Sequence, residues 1–273
     1  MDSNLEDKYY NLKKNLGDMG SALLAFSGGV DSSLVLAVGK EALGDSFIAV
    51  TIHSPLHPLP MLESAAAMAT RFKVEHIAVE TDELENDGFC ANPPERCYLC
   101  KHERFGKLVE MATREGIAEV IDGTQLDDIG DYRPGAEAAT ELGVRGPLLE
   151  TDFQKFEVRA LSRELGLSTW NHPSSTCLAT RVPYSERITR EKLSVIESGE
   201  RYLTGLGLSQ VRLRYVDDRT ARIEVHPASI PLLASDGTRQ RVLDNMMDLG
   251  FIYVTVDLAG YRTGALNEAL RET

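Results

Sequence analysis

Residues Ala25–Ser33 read AFSGGVDSS, a short polar and glycine-rich stretch that follows an apolar run and opens a helix-like segment. Gly28 and Gly29 let the backbone come close to an anion. The hydroxyls of Ser27, Ser32 and Ser33 can donate to its oxygens, and the N-terminus of the helix that this stretch opens adds N–H groups and a favourable dipole. A plain strand-to-helix turn capped by Asp or Ser is the competing reading, but a motif of this length in this context is far more specific than a lone glycine pair. No GK[ST] follows, so this is not the Walker loop. Ser27, Gly28, Gly29, Val30, Asp31, Ser32 and Ser33 are therefore the expected phosphate-binding residues.

Outward from this loop, the apolar runs ALLAF (22–26), FIAVTI (47–52), HIAVET (76–81) and EVIDGT (119–124) alternate with helix-like stretches. Such alternation predicts an α/β fold, a parallel, doubly wound sheet with helices on both faces. Beyond Thr189 the order changes to a helix ending near YLTGLG, a hairpin from QVRLRYV and TARIEVH, a helix TRQRVLDNMMDLG and a last strand FIYVTVD. These read as a smaller α+β domain. Between the two, WNHPSSTCLATRVPY (170–184) lacks a period and is rich in Pro, Ser and Thr, which marks a connecting loop. The expected division is 1–169, 170–188 and 189–273. Loops at such junctions commonly line active sites, so the site is expected in the cleft between the domains.

The 273 residues are 42% hydrophobic and 26% charged, enough for a larger domain with a smaller companion. MDSNLEDKYY carries no apolar run, so neither a secretory signal nor a lipidation site is expected, and no stretch is apolar for long enough to span a bilayer. Four cysteines are too few for a disulfide scaffold, and a cytoplasmic, reducing setting is expected. The net charge of −13 argues against a broad nucleic-acid footprint, which needs Lys and Arg to displace counterions.

Two thiols stand out in ERCYLCK, where Cys97 and Cys100 precede a helix rich in Lys and Arg. Their spacing leaves several readings open. One is tetrahedral zinc held with Cys177 and either Cys90, His102 or His172. Another is a dithiol pair that reduces a persulfide on Cys177. Structural cysteines are the third, and that reading suits Cys90 best. Asp31 and Asp128 are candidates for organising magnesium or phosphate, whereas Asp127 and Asp131 read as a solvated turn. Arg212 and Arg214, two apart on a predicted strand, share a face and can converge on a substrate phosphate, unless that face is simply exposed.

At SGGVDS the chain resembles the PP-loop ATP pyrophosphatases, which cleave ATP between the α- and β-phosphates to adenylate a substrate. DGTQLDDIGDYRPG (122–135), CLATRVPY (177–184), QVRLRY (210–215) and DLAGYRTGALN (257–267) resemble the LarE family within that group, over nearly the whole chain. The resemblance implies an ATP-dependent sulfur transferase of nickel-pincer nucleotide synthesis. Such enzymes convert the two carboxylates of a pyridinium biscarboxylate mononucleotide to thiocarboxylates, with one ATP for each, and nickel enters later on another protein. It also implies that Cys177, Lys101 and Asp31 serve catalysis and that Arg181, Glu200, Arg212, Arg214 and Arg262 bind substrate. For Glu200 an ordinary helix-surface carboxylate is the competing reading.

One branch of that family uses a single cysteine, here Cys177, as a sacrificial sulfur donor that becomes dehydroalanine. A second branch holds a 4Fe-4S cluster with three cysteines, matched by Cys97, Cys100 and Cys177, and the iron without a protein ligand binds an extra sulfide. The implied cofactors are thus ATP, magnesium and the cluster, with zinc or no metal as alternatives. The implied partners are a small nucleotide substrate, a sulfide source and further copies of the chain, arranged as trimers of dimers, with no membrane involved. Two other functions remain open from sequence. A tRNA thiolase pairs the same loop with a cluster, although no RNA-binding module is evident. A nucleotide-binding regulatory module with structural zinc predicts ATP binding without pyrophosphate release.

Overall fold

The computed structural model describes residues 3–128, 134–172, 176–262 and 264–270. Asp131 and the centre of the expected connecting loop, 173–175, lie outside the described residues. In chain order the elements are α1 (Ser3–Gly17), β1 (Ala22–Ala25), α2 (Val30–Leu43), β2 (Phe47–His53), α3 (Leu59–Phe72), β3 (Glu75–Glu80), α4 (Asp87–Cys90), α5 (Arg96–Glu115) and β4 (Glu119–Ile121). They continue with α6 (Pro134–Glu141), α7 (Pro147–Glu150), α8 (Lys155–Glu164), α9 (Arg190–Gly205), β5 (Arg212–Asp217), β6 (Thr220–Glu224), α10 (Ile230–Ala234), α11 (Asp236–Asp248) and β7 (Tyr253–Val256). Contacts divide the chain into two compact units: Met1–Asp82 with Glu95–Ser175, and Glu83–Pro94 with Thr176–Thr273.

In the first unit the strands run parallel in the order β3-β2-β1-β4. Side chains alternate across a strand, so β1 feeds two cores. Ala22 and Leu24 pack in the core formed with Leu12, Leu34 and Leu161 of the helices on one face, and Leu23 joins Val50, Phe105, Leu108 and Ala112 on the other. Cover on both faces explains the continuous apolar runs of the inner strands β1 and β2, whereas the edge strand β3 is only partly covered. From β1 the chain builds outward through β2 to β3, then returns to place β4 on the opposite side of β1. That reversal opens a crevice at the carboxyl ends of β1 and β4, the position where open α/β sheets take ligands.

The second unit has a three-stranded sheet in the order β5-β6-β7. The first two strands form the predicted antiparallel hairpin, closed at Asp217 and Thr220. β7 lies parallel to β6, because α10 and α11 carry the chain back before it re-enters the sheet. α9 sits close on β5 through Gly199, where a Cβ would come within 2.3 Å of Leu213 Cδ2. The segment 83–94 is tied into this unit by Asn92, whose amide donates to the carbonyls of Pro183 at 2.6 Å and Glu186 at 3.0 Å. Cys90 is buried beside it, donating its thiol to the Leu84 carbonyl, which fits the structural reading of that residue. No helix among the described residues is long and apolar enough to cross a membrane.

Candidate active site

In the first unit, the chain leaves β1 with the Phe26 N–H still bonded to the Val50 carbonyl at 2.8 Å, and then turns sharply. Gly28 takes φ +70°, a conformation that L side chains rarely adopt. Gly29 is the N-cap of α2 with extended backbone and no side-chain cap. The first-turn N–H groups of α2 have no partner within the helix, so together with the loop they make an anion cradle. Ser27 Oγ and Ser32 Oγ lie 3.0 Å apart beside it. Val30 belongs to the core, and the Ser33 hydroxyl is fully buried without a hydrogen-bond partner, so neither side chain joins the expected phosphate donors at the surface of the loop.

A cavity of about 390 Å³ opens at this turn, the size of a small-molecule site. Its lining combines apolar side chains, Phe26, Ile52, Met61 and Phe105, with Ser27, Asp31, Ser32, Lys101, Asp122 and Asp128. The segment after β4 is folded by its own side chains. Asp122 accepts from the Thr124 N–H at 2.8 Å and from the Thr124 hydroxyl at 2.7 Å, and Asp128 accepts from the Gln125 N–H at 3.1 Å. Lys101 Nζ is 4.0 Å from Asp122, and Arg104 donates to the Ser54 hydroxyl at 2.7 Å. Burial pushes the Asp31 carboxyl above its ordinary value. Lys155 at 2.7 Å only partly opposes that push, and the nearby Asp128 adds to it.

Gly123 sets the spacing between the two strand ends, since a Cβ on it would stand 2.8 Å from the Ser32 amide nitrogen and 3.2 Å from Asp31 Cβ. Gly123→Ala therefore must push the phosphate loop away from β4. The expected loss is about 1–3 kcal/mol of stability together with weaker ATP-analogue binding, read from a thermal melt and a nucleotide titration. An unchanged melting temperature and affinity would show that the loop yields without cost.

Cys97 and Cys100 differ from expectation in one respect. They do not precede the helix but occupy the opening of α5, which starts at Arg96. Three residues apart, they share a face, and each stands four residues before a cavity-lining cation: Cys97 before Lys101 and Cys100 before Arg104. Both thiols are half-buried. The stem of Lys101 is held close to α6, where a Cβ on Gly135 would come within 2.7 Å of its Cδ.

In the second unit, Cys177 is the N-cap of a 3-10 turn, Leu178–Arg181, whose last residue pins it. Arg181 donates to the Cys177 carbonyl at 2.9 Å and grips Glu200 with two bonds of 2.7 and 2.9 Å. Glu200 also accepts the Leu213 N–H at 3.0 Å. It is thus a partly buried junction between α9, β5 and the Cys177 turn, not the surface carboxylate of the competing reading. Arg212 and Arg214 are both buried, so the exposed-face reading falls too. Arg214 donates to Glu224 at 2.8 Å and to the Thr180 carbonyl at 2.6 Å. The Arg212 guanidinium lies 4.9 Å over the Tyr261 ring, and burial, then the charge of Arg181, lowers its hold on the proton. Arg262 is exposed. Among the described residues no three His, Cys, Asp or Glu side chains are gathered as metal ligands.

Sequence reasoning missed Lys155. It reads as one more charge on an amphipathic helix, yet it is the first residue of α8, behind the capping box of Gln154 and Glu157. A cation at a helix N-terminus opposes the dipole. That misplacement is a signal that an anion stands nearby, here Asp31.

Residues 18–89 match the family model described as asparagine synthase. Along nearly its whole length the chain is similar to an uncharacterized protein of Synechocystis sp., with 43% identity over 97% of this chain and 99% of that one. It is likewise 37% identical to the pyridinium-3,5-bisthiocarboxylic acid mononucleotide synthase of Lactiplantibacillus plantarum, over 97% of this chain and 96% of that enzyme. A glutamine-hydrolyzing GMP synthase of Aeropyrum pernix is 31% identical over 70% of this chain but only 40% of its own length.

Proposed function

The chain belongs to the family of the pyridinium-3,5-bisthiocarboxylic acid mononucleotide synthase, and from that premise we propose that it is an ATP-dependent sulfur transferase acting on a pyridinium biscarboxylate mononucleotide in nickel-pincer nucleotide synthesis. The observation that carries this reading is the uncapped start of α2 behind Ser27–Gly29, opening on a cavity edged by Asp31 and Lys101. A carboxylate is a poor electrophile, and joining it to AMP makes a mixed anhydride that sulfur can attack. A substrate oxygen attacks the α-phosphorus, the bond from that phosphorus to the bridging oxygen breaks, and pyrophosphate leaves with the electron pair. A sulfur nucleophile then adds to the acyl carbon, and AMP leaves as the C–O bond breaks.

In this scheme the α2 N–H groups and the Ser27 and Ser32 hydroxyls hold the departing pyrophosphate, and Lys101 offsets its charge. Asp31 and Asp128 are the residues that would hold magnesium, which supplies Lewis-acid charge when bound. Arg212 and Arg214, with Arg262, serve the substrate phosphate, while Arg181 and Glu200 hold the turn that carries Cys177. The paired thiols on one face of α5 suit an iron–sulfur cluster as a donor set, with Cys177 as the third ligand, and a 4Fe-4S group there would supply sulfide. The protein acts in the cytoplasm as a homo-oligomer and draws on an external sulfide source.

Protein purified without oxygen, given ATP, Mg²⁺, sulfide and the biscarboxylate mononucleotide, is expected to release AMP and thiocarboxylate over many turnovers. It should contain about four iron and four sulfide per chain, absent from the Cys97→Ala, Cys100→Ala double variant. Colourless protein that turns over once and leaves dehydroalanine at position 177 would make Cys177 the donor. AMP release that needs tRNA instead of the mononucleotide would sink the substrate assignment.

A further inference from the structure

We propose that Lys155 is a cation-exchange residue of the phosphate loop: in the empty cavity its ammonium neutralises Asp31, and when the metal–nucleotide complex enters, the divalent ion takes Asp31 and the ammonium passes to the triphosphate. This rests on the proposed ATP chemistry of the first unit and assigns a role to a residue of that unit that the reaction scheme does not use.

Lys155 is bound at both ends. Its main-chain N–H donates to Asp127 at 2.7 Å, and its ammonium donates to Asp31 at 2.7 Å. The first bond fixes the start of α8 against the turn that follows β4. The second spans the crevice to the phosphate loop, so one residue joins the two strand ends that bound the cavity. The other cations differ: Lys101 faces Asp122 and Arg104 is tied to Ser54. Lys155 therefore stands on the carboxylate that a metal ion would claim.

The carboxylate of Asp31 is largely withdrawn from water, and a buried negative charge is costly unless paired. A divalent cation satisfies it better than an ammonium, and a triphosphate satisfies the displaced ammonium. The Lys155 side chain keeps about a third of its surface exposed, at 32%, so it has room to swing from one anion to the other. Neither exchange leaves a buried charge alone. A cavity without metal–nucleotide stays neutralised, and metal alone must compete with Lys155 for its ligand.

That competition gives the test an unusual sign. Full-length wild type, Lys155→Met, Lys155→Arg and the control Lys8→Met, which breaks a different contact of α8 at Glu157, are titrated with Mn²⁺ alone and with Mg²⁺ plus α,β-methylene-ATP. Free Mn²⁺ is read by electron paramagnetic resonance. Lys155→Met should bind Mn²⁺ alone more tightly than wild type, and the nucleotide analogue about tenfold to a hundredfold more weakly, the value of one charge-assisted hydrogen bond. Lys155→Arg should recover most of the analogue binding, and Lys8→Met should move neither. Weaker or unchanged Mn²⁺ binding in Lys155→Met, or unchanged analogue binding, would overturn the exchange role. Both titrations omit the pyridinium substrate and sulfide, so their failure is separate from a failure of the proposed reaction.

Discussion

Asp31→Asn is expected to keep or raise the melting temperature at pH 7 while lowering the rate of AMP formation roughly a hundredfold, about 3 kcal/mol of transition-state stabilisation. The two effects have opposite signs for one reason. Burial raises the Asp31 carboxyl above its ordinary value, so the folded chain holds that proton more tightly than the unfolded chain does. Its contribution to stability is present in acid and is lost as pH rises through the raised value. At neutral pH the ionised group is a cost carried by the fold. An amide of the same shape removes the cost, and Lys155, a third exposed, turns to water. The advantage of the variant should shrink as pH falls, because the wild-type carboxyl is then protonated as well. Melts at pH 7 and pH 5 beside an AMP assay check this; a variant that melts lower at pH 7 would mean that the Lys155 bond outweighs the burial of the charge.

Arg181→Met should cost the second unit about 2–4 kcal/mol, toward the lower end of the range for a broken buried pair, since it leaves the partly buried Glu200 charged without its partner. Arg181 is only 4% exposed and holds Glu200 through two parallel bonds. Lysine cannot reproduce that fork, so Arg181→Lys should recover little. The double variant Arg181→Met, Glu200→Leu should be more stable than Arg181→Met alone, because no buried charge is then left unpaired. Hydrogen exchange in α9 and β5, together with thermal melting, reads the loss. Equal exchange in wild type and Arg181→Met would show that Glu200 finds another partner.

Much of this was legible in the residues because the governing physics is local. β1, β2, β3 and β4 each announce themselves as apolar runs, and AFSGGVDSS states its turn through two glycines and the helix that follows. What escaped depended on distant partners. ERCYLCK holds good helix formers in Glu, Arg, Leu and Lys beside the weaker Cys and Tyr, but its paired thiols read first as a metal or redox motif, and the sequence reading places α5 after them. The apolar pattern of FIYVTVD marks a strand but carries no direction, and only the passage through α10 and α11 makes β7 parallel. For Glu200 and Arg214, read as substrate-binding residues with a surface charge as the competing reading, the ion pairs were not legible, because each finds its opposite far along the chain, Arg181 for one and Glu224 for the other. Lys155 was hidden in the same way, by an anion 124 positions earlier in the chain.

The segment 83–94 sets a timetable for the growing chain on the ribosome. Every residue of the first unit has been made once position 175 is reached, but Phe89 and Cys90 are buried in the other unit, whose remaining residues come last. At synthesis rates of about 5–20 residues per second, residues 176–273 need roughly 5–20 s to appear. Throughout that interval the nascent protein carries an unpartnered segment between β3 and α5, with Asn92 waiting for the carbonyls of Pro183 and Glu186. A stop codon shortly after residue 175 would leave Phe89, Cys90 and Asn92 without the unit that buries them.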